Sequence, residues 1–391
     1  MLFQAGQLLS AAGSSVSTIA YPLLVLALTH SPAKAGLVSF VRLLPAPLLA
    51  LPAGVLSDRL DRRRIMLASD GVRALALAVL ALVVWRHASF WPIPVLAFVE
   101  GAGEAFFGAC LGGVLRSVVP ASQLPTAVSV QQGRTAVVGV AGPPTGGALF
   151  AVARALPFAV DAASYLCSFA AIAAMRTPFQ QPRERRPLRI RADLAEGFRF
   201  LWAQRFLRTT SFFYAIGNFT IPALLFVVVV TGRSHGLTGG QIGLLLALFS
   251  AGILAGSMLG STVRRRLSLR AVLMLEAYTG LLVAAFVIEP NVYVLVATVV
   301  PLALVLPITD SYVIAHRIAA TPDHLLGRAE AARMTIVRTA APLGSLFAGV
   351  LLSAGSARIA VAVFLGLHVV EAVYATTATA LRSPPPLEQP A

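Results

Sequence analysis

Long apolar runs dominate the chain and restrict the folds that are open to it. A helix needs roughly 20 mostly apolar residues to cross the hydrocarbon core of a bilayer. A soluble domain could not bury this much apolar surface, whereas membrane helices satisfy their own backbone polar groups. We therefore predict an all-α membrane protein with twelve transmembrane helices, at residues 3–29, 35–57, 65–85, 91–115, 126–152, 156–177, 207–231, 238–262, 269–288, 291–315, 330–353 and 357–380.

The first apolar run is expected to be a retained helix. It starts almost at Met1, without a basic leader and without a small-residue cleavage site after it. Cys110 and Cys167 both fall inside predicted spans, where cysteine behaves as a small apolar residue. Neither a disulfide framework nor metal-ligand spacing is evident, and the histidines are scattered. We expect no cofactor and no metal site.

The net charge of +15 is distributed unevenly between the two sets of loops. Such a charge can indicate nucleic-acid binding, but 21 of the basic residues lie in alternate loops, at 58–64, 116–125, 176–208, 264–270, 316–329 and 381–391. The other loops hold only Lys34, Arg86, Arg154, Arg233 and Arg358. Since basic residues accumulate in cytoplasmic loops, we predict that both termini are cytoplasmic. The charge indicates topology, and no nucleic-acid partner is expected.

A basic linker divides the chain into two sets of six spans. The stretch 176–208 begins Pro-rich, and is therefore expected to be irregular. From Ile190 onward, apolar residues recur at helical spacing through Leu194, Phe198, Leu201 and Trp202, which predicts a helix in the membrane interface. The predicted domains are a six-helix bundle at 1–178, the linker at 179–205, a second bundle at 206–380 and a cytoplasmic tail at 381–391.

The two halves resemble each other in two places. "GPPTGG" at 142–147 has a counterpart in "APLGS" at 341–345, and "GVLSDRLDRRR" at 54–64 has one in "GSTVRRRLSLR" at 260–270. Gly252, Gly256 and Gly260 form a ladder that allows close helix packing. Repeats of this kind are typical of secondary transporters, whose site lies near the midplane between pseudo-symmetric halves.

The segment 54–64 concentrates six charged residues in an apolar chain. Gly54 would let the end of the second span pack tightly against a neighbour. Asp58 would accept hydrogen bonds from the first amides of another helix, where the helix dipole favours a negative charge. The alternative is a loop that only sets topology, and this is the interpretation favoured for Arg63 and Arg64.

These residues resemble a signature of the major facilitator superfamily. Its loop between helices two and three has the pattern G-x-x-x-D-R-x-G-R-R/K, which matches Gly54, Asp58, Arg59, Arg62 and Arg63. Asp61 replaces the glycine, as in a bacterial exporter branch similar to the enterobactin exporter and other transmembrane secretion effectors. The resemblance implies that Asp58 and Arg62 belong to a cytoplasmic latch that docks near helix eleven and stabilises the outward-facing state.

Further segments carry the same resemblance over nearly the whole chain. The G-P-x-x-G-G core of the antiporter motif in helix five matches Gly142, Pro143, Gly146 and Gly147, although Val138 stands where a preceding glycine is usual. Residues 193–208 resemble the linker helix of the branch, "VDAASY" (160–165) the start of helix six, and "LLGRAEAAR" (325–333) the start of helix eleven.

Ionisable side chains within predicted spans are candidates for transport chemistry, because charge in hydrocarbon is costly. The family resemblance places helices one, four, seven and ten around a central cavity. Glu100 and Glu104 lie one turn apart on the fourth span, so they share a face. Either could exchange protons. Alternatively, they are structural partners of a buried arginine, with Arg42 and Arg134 as the candidate counter-charges.

Other polar residues in the spans have several possible roles. Asp310 is a third proton-coupling candidate; it could instead cap a broken turn after Pro307 or pair with Arg317. Asp161 is expected to be structural, and Asp70 and Arg73 to belong to the cytoplasmic charge cluster. The candidates for lining the cavity are Gln7, Ser14 and Tyr21 on the first span, and Tyr214 and Asn218 on the seventh. Serine in a membrane helix often serves packing alone.

The leading hypothesis is a monomeric secondary transporter of the bacterial inner membrane. It would export small amphipathic organic compounds, such as drugs, siderophores or metabolites, by proton antiport with alternating access. The bacterial assignment rests on the resemblance and on the use of arginine, since Lys34 is the only lysine. Alternatives are a lipid or lysophospholipid flippase, and a non-transporting receptor or assembly partner. We do not expect the protein to be an enzyme, because neither a nucleophile–base pair nor a phosphate-binding loop is evident in the sequence.

Overall fold

The computed structural model describes residues 2–86, 89–118, 123–175, 179 and 190–381. Within these ranges the regular structure is helical, with no strand. The α-helices are α1 (Leu2–Thr29), α2 (Pro32–Leu43), α3 (Pro45–Leu48), α4 (Ala50–Arg59), α5 (Arg62–Trp85), α6 (Pro92–Val118), α7 (Leu124–Val152), α8 (Leu156–Ala174), α9 (Ile190–Ala203), α10 (Arg205–Ser234), α11 (Gly239–Arg264), α12 (Leu269–Gly280), α13 (Ala284–Ile288), α14 (Val292–Ala320), α15 (Asp323–Ala354) and α16 (Ala357–Thr377).

The second predicted span is not one straight helix. The other spans correspond to eleven stretches that are long and apolar enough to cross a membrane, and the second becomes the twelfth only if α2 to α4 are counted together. The axis bends by 47° between Leu48 and Ala50. Pro45 and Pro47 explain the bend, because proline removes a backbone donor and its ring crowds the preceding turn. The second predicted span, 35–57, is therefore present as a bent set of helices.

The chain packs into two compact units. The N-terminal unit comprises residues 1–187 together with 232–247, and the C-terminal unit comprises 188–231 and 248–391. The segment 232–247, which includes the first turns of α11, thus groups with the first half of the chain. Its backbone approaches α7 closely, since a Cβ on Gly243 would lie 2.2 Å from the carbonyl oxygen of Pro143.

Small residues bring helices together within each unit. In the N-terminal unit, a Cβ on Gly6 of α1 would lie 2.8 Å from Cβ of Ala171 on α8. In the C-terminal unit, a Cβ on Gly256 of α11 would lie 1.9 Å from the carbonyl oxygen of Leu304 on α14. A Cβ on Gly260, the last member of the predicted glycine ladder, would lie 3.9 Å from Oγ of Ser311.

The predicted linker helix is present as α9 and packs on α15. A Cβ on Gly197 would lie 2.2 Å from the carbonyl oxygen of Arg328, so the two backbones nearly touch. The residue before Gly197, Glu196, forms an ion pair with the Arg328 guanidinium at 2.5 Å. Trp202 is exposed, with 60% of its surface accessible, as a helix at a membrane interface allows.

The single lysine lies at the start of α2. The Ser31 side chain caps this helix by accepting a hydrogen bond from the backbone N–H of Lys34. The ammonium group of Lys34 lies 5.4 Å from the centroid of the Phe90 ring, in a cation–π contact. Lys34 itself is solvent-exposed.

Candidate functional site

A buried network of charged side chains lies inside the N-terminal unit. At its centre Glu100 of α6 is fully buried and accepts two hydrogen bonds from Arg42 of α2, at 2.7 Å from Nε and 3.4 Å from Nη2. Gly101 allows this approach, because a Cβ there would lie 2.1 Å from the carbonyl oxygen of Arg42. Of the two arginines considered as counter-charges, Arg42 is the one beside Glu100.

Arg73 of α5 connects the other carboxylates of the network. Its guanidinium is 3.6 Å from Glu100, 3.8 Å from Glu104 and 3.9 Å from Asp70. It also donates to the hydroxyl of Tyr165 and lies over that ring, 3.9 Å from the centroid. Gly103 leaves room for it, since a Cβ there would lie 2.5 Å from Cγ of Arg73.

The placement of Asp70 and Arg73 corrects the sequence prediction. Both were expected in the cytoplasmic charge cluster, yet Asp70 is fully buried and Arg73 is 4% exposed. They lie in the third and fourth turns of α5, on the face that meets α6 and α8. Asp70 and the α6 carboxylates offset the charge of Arg73, and Arg73 offsets that of Asp70. Pairing is what makes charge tolerable inside a helix bundle.

Glu104 differs from Glu100 in its surroundings, although the two are one turn apart on α6. The Glu104 side chain is 59% exposed, whereas that of Glu100 is 0% exposed. Glu104 is thus the carboxylate of the network that combines contact with Arg73 and an exposed side chain.

Hydroxyl groups extend the network to α1 and α8. Tyr165 donates to Glu100 at 3.2 Å and shares a hydrogen bond with Ser14 at 2.8 Å. One turn earlier on α8, the buried Asp161 accepts hydrogen bonds from Ser17 at 2.5 Å and Ser164 at 3.1 Å. These contacts suit the structural role that we expected for Asp161.

The network contains more acidic than basic groups. It joins two guanidinium groups to four carboxyl groups, those of Asp70, Glu100, Glu104 and Asp161. With all of them ionised, the cluster would carry two excess negative charges in a medium that screens charge poorly. Binding of protons would remove that excess.

The stripe on α1 faces a neighbouring helix. Gln7 donates to Ser168 at 3.4 Å, and Tyr21 is 1% exposed with its ring edge-on to Phe158, at 5.1 Å between centroids. With Ser14 bound to Tyr165, all three residues point at α8. Whether they also line a cavity stays a prediction, because seven-residue spacing identifies a common face without revealing what that face meets.

Arg134 and the two C-terminal cavity candidates have local partners. Arg134 of α7 contacts the side-chain oxygen of Gln4 at 3.5 Å, and no carboxylate in the described part of the chain pairs with it. It is therefore not a counter-charge of the α6 glutamates. The centroid of the Tyr214 ring lies 5.7 Å from Cζ of Arg333. The side-chain amide of Asn218 donates a hydrogen bond to the Tyr214 carbonyl at 2.9 Å. Whether Tyr214 and Asn218 meet substrate stays a prediction.

Asp310 does not cap a broken turn, because the helix α14 continues through Pro307. Arg317 interacts electrostatically with Asp310, and its ion pair is with Glu330, at 3.3 Å. Glu330 also accepts two hydrogen bonds from Arg333, at 2.7 and 3.0 Å. Asp310 is exposed at the surface of α14, and its role in proton coupling stays a prediction.

The charged segment 54–64, which joins α4 to α5, contains an ion pair and a helix cap. Arg62 is buried, pairs with Asp58 at 3.3 Å and lies against α6, where a Cβ on Gly113 would be 2.1 Å from its Nη1. Asp61 caps α5 by accepting the Arg63 amide at 2.8 Å. Aspartate suits this position because its backbone is extended, with φ −63° and ψ 112°, which requires no glycine.

Gly54 and Arg59, two further residues of this segment, lie in α4 and differ in their surroundings. A Cβ on Gly54 would meet no atom within 4 Å among the described residues, so the tight packing predicted for Gly54 is not observed there. Arg59 is exposed, as an arginine that only marks topology would be.

The glycine motif of α7 packs against two helices. A Cβ on Gly142 would lie 1.9 Å from Oγ of Ser15, and one on Gly146 would lie 2.3 Å from the carbonyl oxygen of Val16, both on α1. On the other side, a Cβ on Gly147 would lie 1.9 Å from the carbonyl oxygen of Gly239 on α11. Only glycine allows the three backbones to approach this closely.

Sequence reasoning missed a second buried cluster, in the C-terminal unit. His368 and Glu371 of α16 are 2.9 Å apart, and both are buried, as is Glu276 of α12. The available signal was the presence of ionisable residues within the apolar runs 269–288 and 357–380. The rule that selected Glu100 and Glu104 selects these residues too.

The whole chain is similar to known membrane transporters. It is 30% identical over 365 residues to the multidrug efflux pump Tap of Mycolicibacterium fortuitum, covering 89% of this chain and 87% of that protein. It is 28% identical over 149 residues to macrolide efflux protein A of Streptococcus pyogenes, covering 36% and 37% respectively.

The fold is also shared with solved structures. A bacterial homologue of the human lysosomal transporter Spinster superposes with a TM-score of 0.76 at 16% identity, over 96% of this chain and 95% of that one.

The sequence model of the transmembrane secretion effector family matches residues 2–384. This multi-pass membrane protein therefore belongs to the transmembrane secretion effector family of the major facilitator superfamily.

Proposed function

We propose that the protein exports small amphipathic organic compounds across the bacterial inner membrane in exchange for protons. The efflux pumps that it resembles are named for multiple drugs and for macrolides, which are compounds of this chemical class. The observation that supports proton exchange is the exposed carboxylate of Glu104, 3.8 Å from a guanidinium that is otherwise buried. In this proposal the protein works as a monomer with both termini in the cytoplasm, and it catalyses no reaction.

The contrast between the two α6 glutamates assigns them different roles. Glu100 is held by two guanidinium groups and a phenol, so it keeps Arg42 and Arg73 in place. Glu104 makes one long contact to Arg73 and is accessible. Glu104 is thus the carboxylate that loads and unloads the proton.

Protonation of Glu104 changes the forces on Arg73. An ionised Glu104 attracts the guanidinium, whereas a protonated Glu104 leaves it to Glu100, Tyr165 and Asp70. Since α5, α6 and α8 meet at Arg73, proton binding at an exposed site alters an interaction at the centre of the bundle. A conformational equilibrium shifts only through such a difference between states.

Inverted membrane vesicles with an acidic interior provide the test. A pH-sensitive dye would report proton release on addition of ethidium, erythromycin or a catecholate siderophore. We expect release with the wild type, and release at the level of vesicles without the protein for Glu104→Gln. Glu289→Gln is the matched control, because Glu289 is an exposed glutamate in the turn after α13 and should leave release unchanged.

Each other result would change the conclusion. Release that survives in Glu104→Gln would move the coupling site, with Glu100 and Asp310 as the next candidates. Absence of release with folded wild type would refute proton-coupled export of these compounds. A fluorescent lysophospholipid that the protein translocates between leaflets would then support the flippase, and failure of both assays would favour the non-transporting receptor.

A further inference from the structure

The C-terminal unit contains ionisable side chains that the proposed cycle does not use. Glu276 on α12, and His368 and Glu371 on α16, are 5%, 1% and 2% exposed. His368 Nδ1 and Glu371 Oε2 are 2.9 Å apart, the distance of a charge-assisted hydrogen bond. Glu276 and Gly280 share a face of α12, being four residues apart. A Cβ on Gly280 would lie 2.5 Å from His368 Nδ1, so the imidazole lies against that face.

This cluster has no basic partner among the residues that the structure describes. No arginine or lysine there forms an ion pair with any of the three side chains. The other ionisable groups that interact electrostatically with Glu276 are Asp310 on α14 and Tyr214 on α10. With both glutamates ionised and the imidazole neutral, the trio would carry a charge of −2 in the bundle interior. The N-terminal network, by contrast, contains two guanidinium groups.

Two polar atoms of the cluster have no hydrogen-bond partner in the part of the chain that the structure describes. They are Oε2 of Glu276 and Nε2 of His368, each on a side chain that is more than nine-tenths buried. A buried ionised oxygen without a donor is strongly unfavourable. A proton on Glu276 removes that charge, and a second proton, shared by His368 and Glu371, neutralises the trio.

The helix beside the cluster is interrupted. One turn after Glu276, α12 ends at Gly280, a 3₁₀ turn occupies Leu281–Val283, and α13 follows. A short 3₁₀ stretch within a longer helix often marks a hinge, and interrupted helices are common at ion sites of transporters. Chains of glutamate and histidine inside membrane proteins are typical of proton pathways.

We propose that Glu276, His368 and Glu371 form a second proton-binding site, located in the C-terminal unit. Each proton comes from water on one side of the membrane and returns to water on the other, forming and then breaking an O–H or N–H bond. Proton binding at the trio is independent of the function proposed above. Its use in transport rests on that function and raises the number of protons exchanged for each substrate molecule.

Infrared spectroscopy of the purified, reconstituted protein tests the binding directly. The C=O stretch of protonated carboxylic acids would be recorded during a pH titration in choline chloride. We expect a band at neutral pH in wild type and in Glu289→Gln, with loss of its Glu276 component in Glu276→Gln. Glu276→Asp retains an acid and shifts the band, so it serves if Glu276→Gln does not fold. Glu371→Gln and His368→Gln should change the remaining titration.

Several outcomes would overturn the proposal. One is a carboxylic acid band that is identical in wild type, Glu276→Gln and Glu276→Asp. Another is the disappearance of the band when NaCl replaces choline chloride, which would identify a sodium site. In the vesicle assay, Glu276→Gln should release fewer protons per drug molecule; an unchanged ratio would refute its use in transport. If wild type shows no antiport at all, the proposed function fails, and the infrared result still decides the proton site.

Discussion

Replacement of Glu100 by glutamine should destabilise the N-terminal unit strongly. Glutamine keeps the shape of the side chain but removes the charge that two buried guanidinium groups face, at 2.7 and 3.6 Å. At an effective dielectric constant of about 20, these contacts correspond to about 6 and about 5 kcal/mol of attraction. Part of this is offset, because the neutral amide no longer has to be desolvated as a charge. The expected net loss is about 3–5 kcal/mol, as for other buried pairs that lose one partner.

Reversible unfolding in mixed detergent micelles would measure this loss. Glu289→Gln makes the same chemical change at an exposed position and should cost less than about 0.5 kcal/mol. The double variant Glu100→Gln with Arg42→Gln should recover part of the loss, since it removes one of the uncompensated charges. A loss for Glu100→Gln as small as that of the control would show that Glu100 is not ionised in the folded protein. The description of the network as a set of ion pairs would then be refuted.

Three smaller changes test local features through the same unfolding measurement. Gly147→Ala puts a methyl group 1.9 Å from a carbonyl oxygen of α11 and should cost about 1–3 kcal/mol. Gly133→Ala on the same helix meets nothing within 4 Å in the described part of the chain, so it should be neutral or slightly stabilising. Equal effects of the two changes on the free energy of unfolding would refute the close contact. Asp61→Ala removes the cap of α5 and should cost about 1 kcal/mol, which Asp61→Ser should restore; no loss would show that the cap is unimportant. Ser17→Ala leaves an oxygen of Asp161 without its donor and should cost about 1–3 kcal/mol, and a loss below about 0.5 kcal/mol would contradict that hydrogen bond.

Hydrophobicity predicted the number and approximate position of the spans, because a segment of roughly 20 mostly apolar residues is long enough to cross the bilayer. It did not predict the bend between α2 and α4, since an apolar average is unaffected by where Pro45 and Pro47 fall. The helix α9 was predicted from its periodicity. Its contact with α15 depends on Gly197 and on a partner more than 100 residues away, which no local pattern contains.

The candidate site was predicted only in part. Glu100 and Glu104 were selected by their burial in an apolar run, but the run does not show that one is enclosed and the other exposed. Arg73 was assigned to the wrong environment because it follows a basic loop in sequence. Its position is set by helices α6 and α8, which meet α5 only in the folded chain. Helix-face arguments locate residues relative to their own helix, and the neighbours of that face are a tertiary property.

The position of Lys34 makes the orientation of the whole molecule measurable by simple chemistry. Its exposed ammonium group beside Phe90 is the only side-chain amine of the protein. A membrane-impermeant amine reagent applied to intact cells should therefore modify one site at the start of α2, apart from the terminal amine. Labelling of wild type that is absent in Lys34→Arg would place this end of α2 outside the cell, and with it the loop between α5 and α6 that carries Phe90. The same single attachment point offers a fluorophore position without introduced cysteines.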